Sequence, residues 1–135
     1  MTFSTAAEAE QAFYDAFREL DIDAMQRIWA DSPDASCIHP GGGLLQGAES
    51  VIDSWRSIFR DTSPPQVEHR IVQASADNRL AVHTVEEHVS SGDGQRHAVV
   101  LATNIYINRD GSWRMLAHHA SLPLVEREPE AGALH

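Results

Sequence analysis

At 135 residues, 42% hydrophobic and 22% charged, the chain has the length and composition of one soluble globular domain with a core of its own. Ten basic residues against twenty acidic ones leave a formal net charge of -10, which repels phosphate backbones and argues against nucleic acid as a partner. All ten basic residues are arginine, so Schiff-base and lysine-base chemistry are excluded.

A single cysteine, Cys37, forms no intramolecular disulfide and points to a reducing compartment. The opening Met1-Thr2-Phe3-Ser4-Thr5-Ala6-Ala7-Glu8 lacks the basic and apolar regions of a signal peptide. No apolar run approaches the roughly 20 residues of a membrane span. A cytoplasmic protein without a membrane partner is expected.

Thr5-Ala6-Ala7-Glu8 reads as a capping box, and Ala9, Phe13, Ala16, Phe17 and Leu20 follow at helical spacing. A second short helix is predicted after Asp21, with Ile22, Met25, Ile28 and Trp29 on one side, broken by Asp31-Ser32-Pro33-Asp34. Short strands are predicted over 35–39 and 44–46, joined by Gly41-Gly42-Gly43. This triplet lacks the following helix and lysine of a phosphate loop and reads as a turn. Gly47 precedes a third helix striped by Val51, Ile52, Trp55, Ile58 and Phe59, which Thr62-Ser63-Pro64-Pro65 stops. Long strands then cover 67–76, 80–91, 95–107 and 112–122. Asp110-Gly111 between the last two is a strong hairpin signal. Helices followed by meandering strands predict an α+β domain, three helices on one face of a curved antiparallel sheet of about six strands. The domain is expected over 1–125, with a loose acidic tail at 126–135.

This element order, with Trp29-Ala30-Asp31 closing the second helix, Cys37-Ile38-His39-Pro40-Gly41-Gly42 and the stretch from Ala102-Thr103-Asn104 to Ser121, resembles the NTF2-like superfamily. The likeness is greatest to its small bacterial SnoaL-like and ketosteroid-isomerase-like members. The chain is also similar to the calcium/calmodulin-dependent kinase II association domain, where a tryptophan opens a last strand ending in histidine and serine. The resemblance implies a cone-shaped fold and a homodimer paired through the outer face of the sheet, where Val99, Leu101, Thr103 and Ile105 would supply an apolar patch. It says less about function, because the fold hosts isomerases, cyclases, dehydratases, hydrolases and assembly modules.

Two departures carry information. Steroid isomerases of the superfamily place an aspartate base before the first-strand proline, and here that position is His39. The kinase association domain lines its deep pocket with a histidine and three arginines. A gap-free reading puts Val51, Thr84, Asn104 and Ala120 there. A pocket without arginine favours a neutral or weakly polar small molecule over a carboxylate.

His39 is the leading candidate for chemistry, since an unperturbed imidazole titrates near pH 6.5 and shuttles protons at neutral pH. The plainer alternative is a histidine bonded to backbone at a strand end. His118 and His119 point to opposite faces of a regular strand, and the family register puts Asn104, His118 and Ala120 inward. A bulge in the Arg109-Asp110-Gly111 turn would reverse that choice. Asn104, polar in an apolar strand, either holds a ligand carbonyl or satisfies a neighbouring group.

Of the two faces of the strand over 80–91, Thr84-Glu86-His88 and His83-Val85-Glu87, the family alignment assigns Thr84 to the pocket and leaves one face solvated or at an interface. Trp29, Trp55, Phe13, Phe17 and Phe59 read as core, with Trp29, Phe17 and Trp55 also expected in the pocket wall. Tyr14 lies beside the apolar stripe, one position off the tyrosine that donates a hydrogen bond in steroid isomerases, and is assigned to ligand binding. Cys37 reads as a buried, inert thiol. Adjacent histidines diverge on a strand, so neither a metal site nor a cofactor is expected.

The leading expectation is thus a small-molecule-binding domain with an apolar pocket and isomerase, cyclase or dehydratase chemistry by general acid–base catalysis. In it His39 shuttles the proton while Asn104 and His118 hold a carbonyl or enolate. The alternative is a non-catalytic dimerisation or partner-binding module whose histidines are structural.

Overall fold

The computed structural model describes residues 2–91 and 93–123. Thr5 starts α1 (Ala6–Glu19) as the capping box predicts: its extended backbone leaves the side-chain oxygen free to accept from the Glu8 amide at 3.0 Å, while the Glu8 carboxylate takes the Ser4 amide at 2.9 Å. Asp21 caps α2 (Ile22–Ile28) in the same way, through the Ala24 amide. After β1 (Ser36–Ile38) and β2 (Leu45–Gln46), the chain enters α3 (Ala48–Arg60) through Gly47, whose φ of 90° only glycine adopts without strain. Among the described residues, no helix is long and apolar enough to cross a membrane.

Four strands complete the domain: β3 (Gln66–Ala76), β4 (Leu80–Ser90), β5 (His97–Arg109) and β6 (Ser112–Ser121). They form one six-stranded sheet in the order β2-β1-β6-β5-β4-β3, antiparallel except where β1 runs parallel to β6. The α+β cone expected from the sequence is the observed fold. Phe13, Tyr14, Met25, Ile28, Val51, Trp55, Tyr106 and Met115, all essentially without exposure, pack between the helices and the concave face of the sheet. The tail expected at 126–135 lies outside the described residues.

Asp110 and Gly111 both take positive φ, 55° and 82°, and close β5 onto β6 as a two-residue hairpin with Arg109 opposite Ser112. The turn carries no bulge. The register instead shifts once along β6, where Ala117 faces Ile105 but Met115 faces Tyr106, so Leu116 is the extra residue. This places Met115 and His118, three residues apart, both in the interior, and sets His118 directly opposite Asn104. Along β5 the buried Val100, Ala102, Asn104 and Tyr106 alternate with Val99, Leu101, Thr103 and Ile105 on the outer face. Leu80, Val82 and Leu101 are exposed, Val82 and Leu101 on that outer face.

Replacing Gly111 by alanine forces a side chain into the left-handed region. Equilibrium urea denaturation of Gly111→Ala is expected to show about 1 kcal/mol less stability at an unchanged m value. An unshifted midpoint would mean that the hairpin does not depend on this turn.

Candidate functional site

Beneath the sheet, α1, β4, β5 and β6 bring together a set of buried polar side chains: Glu10, Tyr14, His83, Glu87, Asn104, Tyr106 and His118. Glu10 and Tyr14 reach the interior because they share a helical face with Phe13 and Phe17. His83 and Glu87 lie on the inward phase of β4, alternating with Thr84 and Glu86. Asn104 and Tyr106 occupy the inward phase of β5, and the Leu116 bulge delivers His118 from β6.

The hydrogen bonds can be assigned donor by donor. The Tyr106 hydroxyl donates to Glu10 Oε2 at 2.6 Å, and the Asn104 amide nitrogen donates to the same oxygen at 3.3 Å. His83 Nδ1 lies 3.0 Å from Glu10 Oε1. Glu10 Oε2 is therefore an acceptor in both of its contacts. The second Asn104 N–H goes to the Tyr14 hydroxyl at 3.0 Å, and that hydroxyl donates to Glu87 Oε2 at 2.6 Å. With both amide hydrogens committed, Asn104 Oδ1 must accept, and it does so from His118 Nδ1 at 2.6 Å. His118 Nε2 then carries a lone pair and lies 3.9 Å from Glu87 Oε2.

Burial dominates the titration of Glu87, His118 and Tyr14. It pushes the Glu87 carboxyl up to about 7, against the opposing pull of the Tyr14 hydroxyl and aided by the neighbouring Glu10. It drives His118 down to about 3, with His39 and His119 adding to the effect, so this imidazole is neutral at physiological pH. Burial and then Glu87 hold the Tyr14 hydroxyl above the ordinary tyrosine range, which keeps it a donor. His69, whose pKa burial lowers, stacks on Tyr14 with ring centroids 4.2 Å apart.

His39 forms the other end of the candidate site. Its Nε2 lies 2.9 Å from Ser54 Oγ, and the Ser54 hydroxyl donates to the Val51 carbonyl at 2.6 Å. The serine hydrogen is thus spent, His39 Nε2 is the donor, and Nδ1 carries the lone pair. Burial lowers the pKa of His39, favouring that neutral form. Cys37 shares this face, its sulfur 3.7 Å from His39 Nε2, and burial pushes the thiol up to about 12. Trp55 links the two ends: its ring packs 4.7 Å from His39 and 5.9 Å from His118, and its buried indole N–H has no hydrogen-bond partner among the described residues. A buried donor left unsatisfied is costly, and a ligand oxygen would satisfy it.

Of the residues singled out from sequence, Tyr14, Asn104 and His118 are hydrogen-bonded together, and Trp55 and His39 adjoin them. Phe17 backs Trp55 at 5.3 Å, and Ala120 lies on the same concave face in a cluster with Val100 and Ala102. Val51 is buried in the core against the helices. Thr84 is the correction: β4 turns His83, Val85 and Glu87 inward, which puts Thr84 on the outer face of the sheet, away from the network. Trp29 is buried elsewhere. It walls a recess of about 520 Å³ between α2 and α3, with Asp31, Glu49 and Ile52.

Glu10, His83, Glu87 and Tyr106 are not among the site residues expected from the sequence, where His83 and Glu87 mark only one of the two possible inward faces of their strand. Glu10 was detectable, because it sits three and four residues before Phe13 and Tyr14, inside the apolar stripe. The concave face continues past Glu87 to Val89, which with Pro65, Arg96, His97 and Ala98 lines an open recess of about 420 Å³. Among the described residues, no group of three or more histidine, cysteine, aspartate or glutamate side chains is placed to hold a metal.

Comparison with known proteins places this architecture. A family model described as a SnoaL-like domain matches residues 7–125. The crystal structure of a candidate calcium/calmodulin-dependent protein kinase type II association domain from Thiobacillus denitrificans superposes with a TM-score of 0.88 at 33% identity, covering 92% of this chain and 99% of that one. A candidate dehydratase of the NTF2-like family from Streptomyces avermitilis gives a TM-score of 0.80 at 30% identity, covering 88% of this chain and 94% of that one. The F-box protein SKIP8 of Arabidopsis thaliana is 28% identical over 114 residues, 84% of this chain and 48% of that protein. The chain thus spans about half the length of this curated relative.

Glu87 and His118 tilt stability in opposite directions with pH. Glu87 has its pKa raised from 4.5 to about 7 in the fold, so its protonated form favours folding and stability falls as pH rises between those values. His118 has its pKa lowered from 6.5 to about 3, so stability is lost as pH falls between those values. Glu87→Gln removes the glutamate slope and leaves the histidine slope in place. Denaturation from pH 4 to pH 8 is expected to show the variant gaining on the wild type between about pH 4.5 and 7. A pH-independent difference would refute the assignment.

Proposed function

The chain belongs to the SnoaL-like domain family, and on that footing we propose that it binds a neutral or weakly polar small molecule and acts on it by general acid–base chemistry, as a cofactor-independent isomerase, cyclase or dehydratase. The observation that carries this reading is Glu87, a carboxyl buried beside Tyr14 and His118 whose pKa of about 7 keeps a transferable proton at neutral pH. Two further observations support it: the N–H of Trp55, which has no partner among the described residues and belongs to a ring packed against both His39 and His118, and a polar network that holds no arginine to attract a carboxylate.

In this reading His39 Nδ1 removes a proton from the carbon beside a carbonyl, and Ser54, accepting from Nε2, supports the imidazolium that forms. Glu87 delivers its proton to the carbonyl oxygen, giving a neutral enol. Where the substrate carries a β,γ carbon–carbon double bond this enol is a conjugated dienol. Return of the proton from His39 to its far carbon moves the double bond to the α,β position, and return of the enol proton to Glu87 restores both residues. The homodimer expected from the sequence would pair through the outer face of the sheet, leaving this interior untouched.

A second reading, an assembly module, is favoured by the 33% identity to the candidate kinase association domain. It predicts a defined oligomer in light scattering and no proton chemistry.

The reaction is tested by deuterium incorporation beside the carbonyl of cyclohexanone in D2O, followed by NMR. Wild-type protein is expected to exceed the buffer rate, with His39→Ala and Glu87→Gln each reducing the excess by about 100-fold. Exchange at the buffer rate, or exchange unaffected by both substitutions, would overturn the acid–base reading.

A further inference from the structure

The interior does more than bury an imidazole, because it fixes which nitrogen is bare. Asn104 is held in one orientation: Glu10 Oε2 and the Tyr14 hydroxyl take its two N–H groups at 3.3 and 3.0 Å. Rotating the amide by 180° would turn its oxygen onto the Glu10 carboxylate and lose both bonds. The oxygen is therefore committed to His118, 2.6 Å away, and an oxygen in that place demands Nδ1–H. Glu10 Oε2 is kept an acceptor by the Tyr106 hydroxyl at 2.6 Å, and His83 Nδ1 braces Oε1 at 3.0 Å. The order of constraint runs Tyr106, Glu10, Asn104, His118.

The consequence falls on the ligand. His118 Nε2 has a lone pair and no hydrogen, so the group placed against it must be a donor. Glu87 Oε2 is taken by Tyr14, which leaves Oε1 to carry the carboxyl proton, so the group placed against it must be an acceptor. His118 Nε2 lies 3.9 Å from Glu87 Oε2, and Oε1 belongs to the same carboxyl, so a hydroxyl and a carbonyl on one short carbon chain reach both groups. We infer that Glu10 is a positioning residue that locks His118 as its Nδ1–H tautomer through Asn104, and that the site selects neutral hydroxy-carbonyl compounds, hydroxyl to His118 Nε2 and carbonyl to Glu87. The tautomer lock stands on hydrogen bonding alone, whereas the substrate class rests on the acid–base reading of the same site.

Long-range nitrogen–proton NMR of histidine-labelled protein reads both parts. Wild-type His118 is expected to show a protonated Nδ1 and a bare Nε2. In Glu10→Gln the amide of Asn104 is no longer pinned, and a second, Nε2–H population of His118 is expected. Tyr106→Phe, which deletes a single donor to Glu10, is the milder variant if Glu10→Gln does not fold. A wild-type His118 protonated at Nε2, or a tautomer unmoved in every folded variant, would overturn the lock.

4-Hydroxy-2-butanone is then titrated against 2-butanone and pyruvate. The hydroxyketone is expected to shift His118 Nε2 at concentrations at least tenfold below those needed for 2-butanone, with no response to pyruvate. Equal responses to the two ketones would overturn the hydroxy-carbonyl class while leaving acid–base chemistry on carbonyls standing. No response to either would overturn both.

Discussion

A side-chain amide cannot be turned over without exchanging donors for acceptors, and the interior of this protein is organised around one such amide. Asn104 touches α1 through Glu10 and Tyr14 and touches β6 through His118, so its orientation ties the helix layer to the sheet. Inside a low-dielectric core each of these bonds is strengthened, and the loss of any one would strand a buried polar group at a cost of about 1–3 kcal/mol. The network is therefore satisfied as a unit. Its hydrogens are assigned without choice, from the Tyr106 hydroxyl at one end to the bare nitrogen of His118 at the other.

The surrounding packing gives that unit its chemistry. Phe13 and Trp55 press against His118 with ring centroids 4.9 and 5.9 Å away, burying the imidazole away from the solvation its charged form needs. The same exclusion raises Glu87, so a carboxylic acid and a neutral histidine face each other where an ion pair would form in water. Past this pair the concave face becomes small and apolar, through Val100, Ala102 and Ala120.

The fold was legible because its punctuation is local. Thr5 with Glu8, Asp21, Gly47 and Asp110-Gly111 each mark an element boundary by a side-chain oxygen or a positive φ that the sequence displays directly. The site was legible only in part. Asn104 stood out as a polar residue in an apolar strand, and His118 as one of a histidine doublet. Glu87 did not stand out, since both faces of β4 carry a mixture of apolar and titratable residues, and the helices packed above decide which face is inward. Glu10 would be unremarkable on a solvated helix. Its place within the stripe of Phe13 and Phe17 gains meaning only when the basic and hydroxyl groups of β4 and β5 are known to converge on it.

The extra residue at Leu116 also determines what the histidine doublet does. With uninterrupted pairing from the hairpin, Ala117 would stand opposite Asn104, His118 would swing to the outer face, and His119 would face inward opposite Ala102. An imidazole would thus enter the interior in either phase, because two consecutive positions carry one. Only the bulged phase brings that imidazole against the amide oxygen; in the other the ring would lie one pair further up, beside alanine. The doublet guarantees a histidine inside, and one looped-out leucine chooses the neighbour that sets its tautomer.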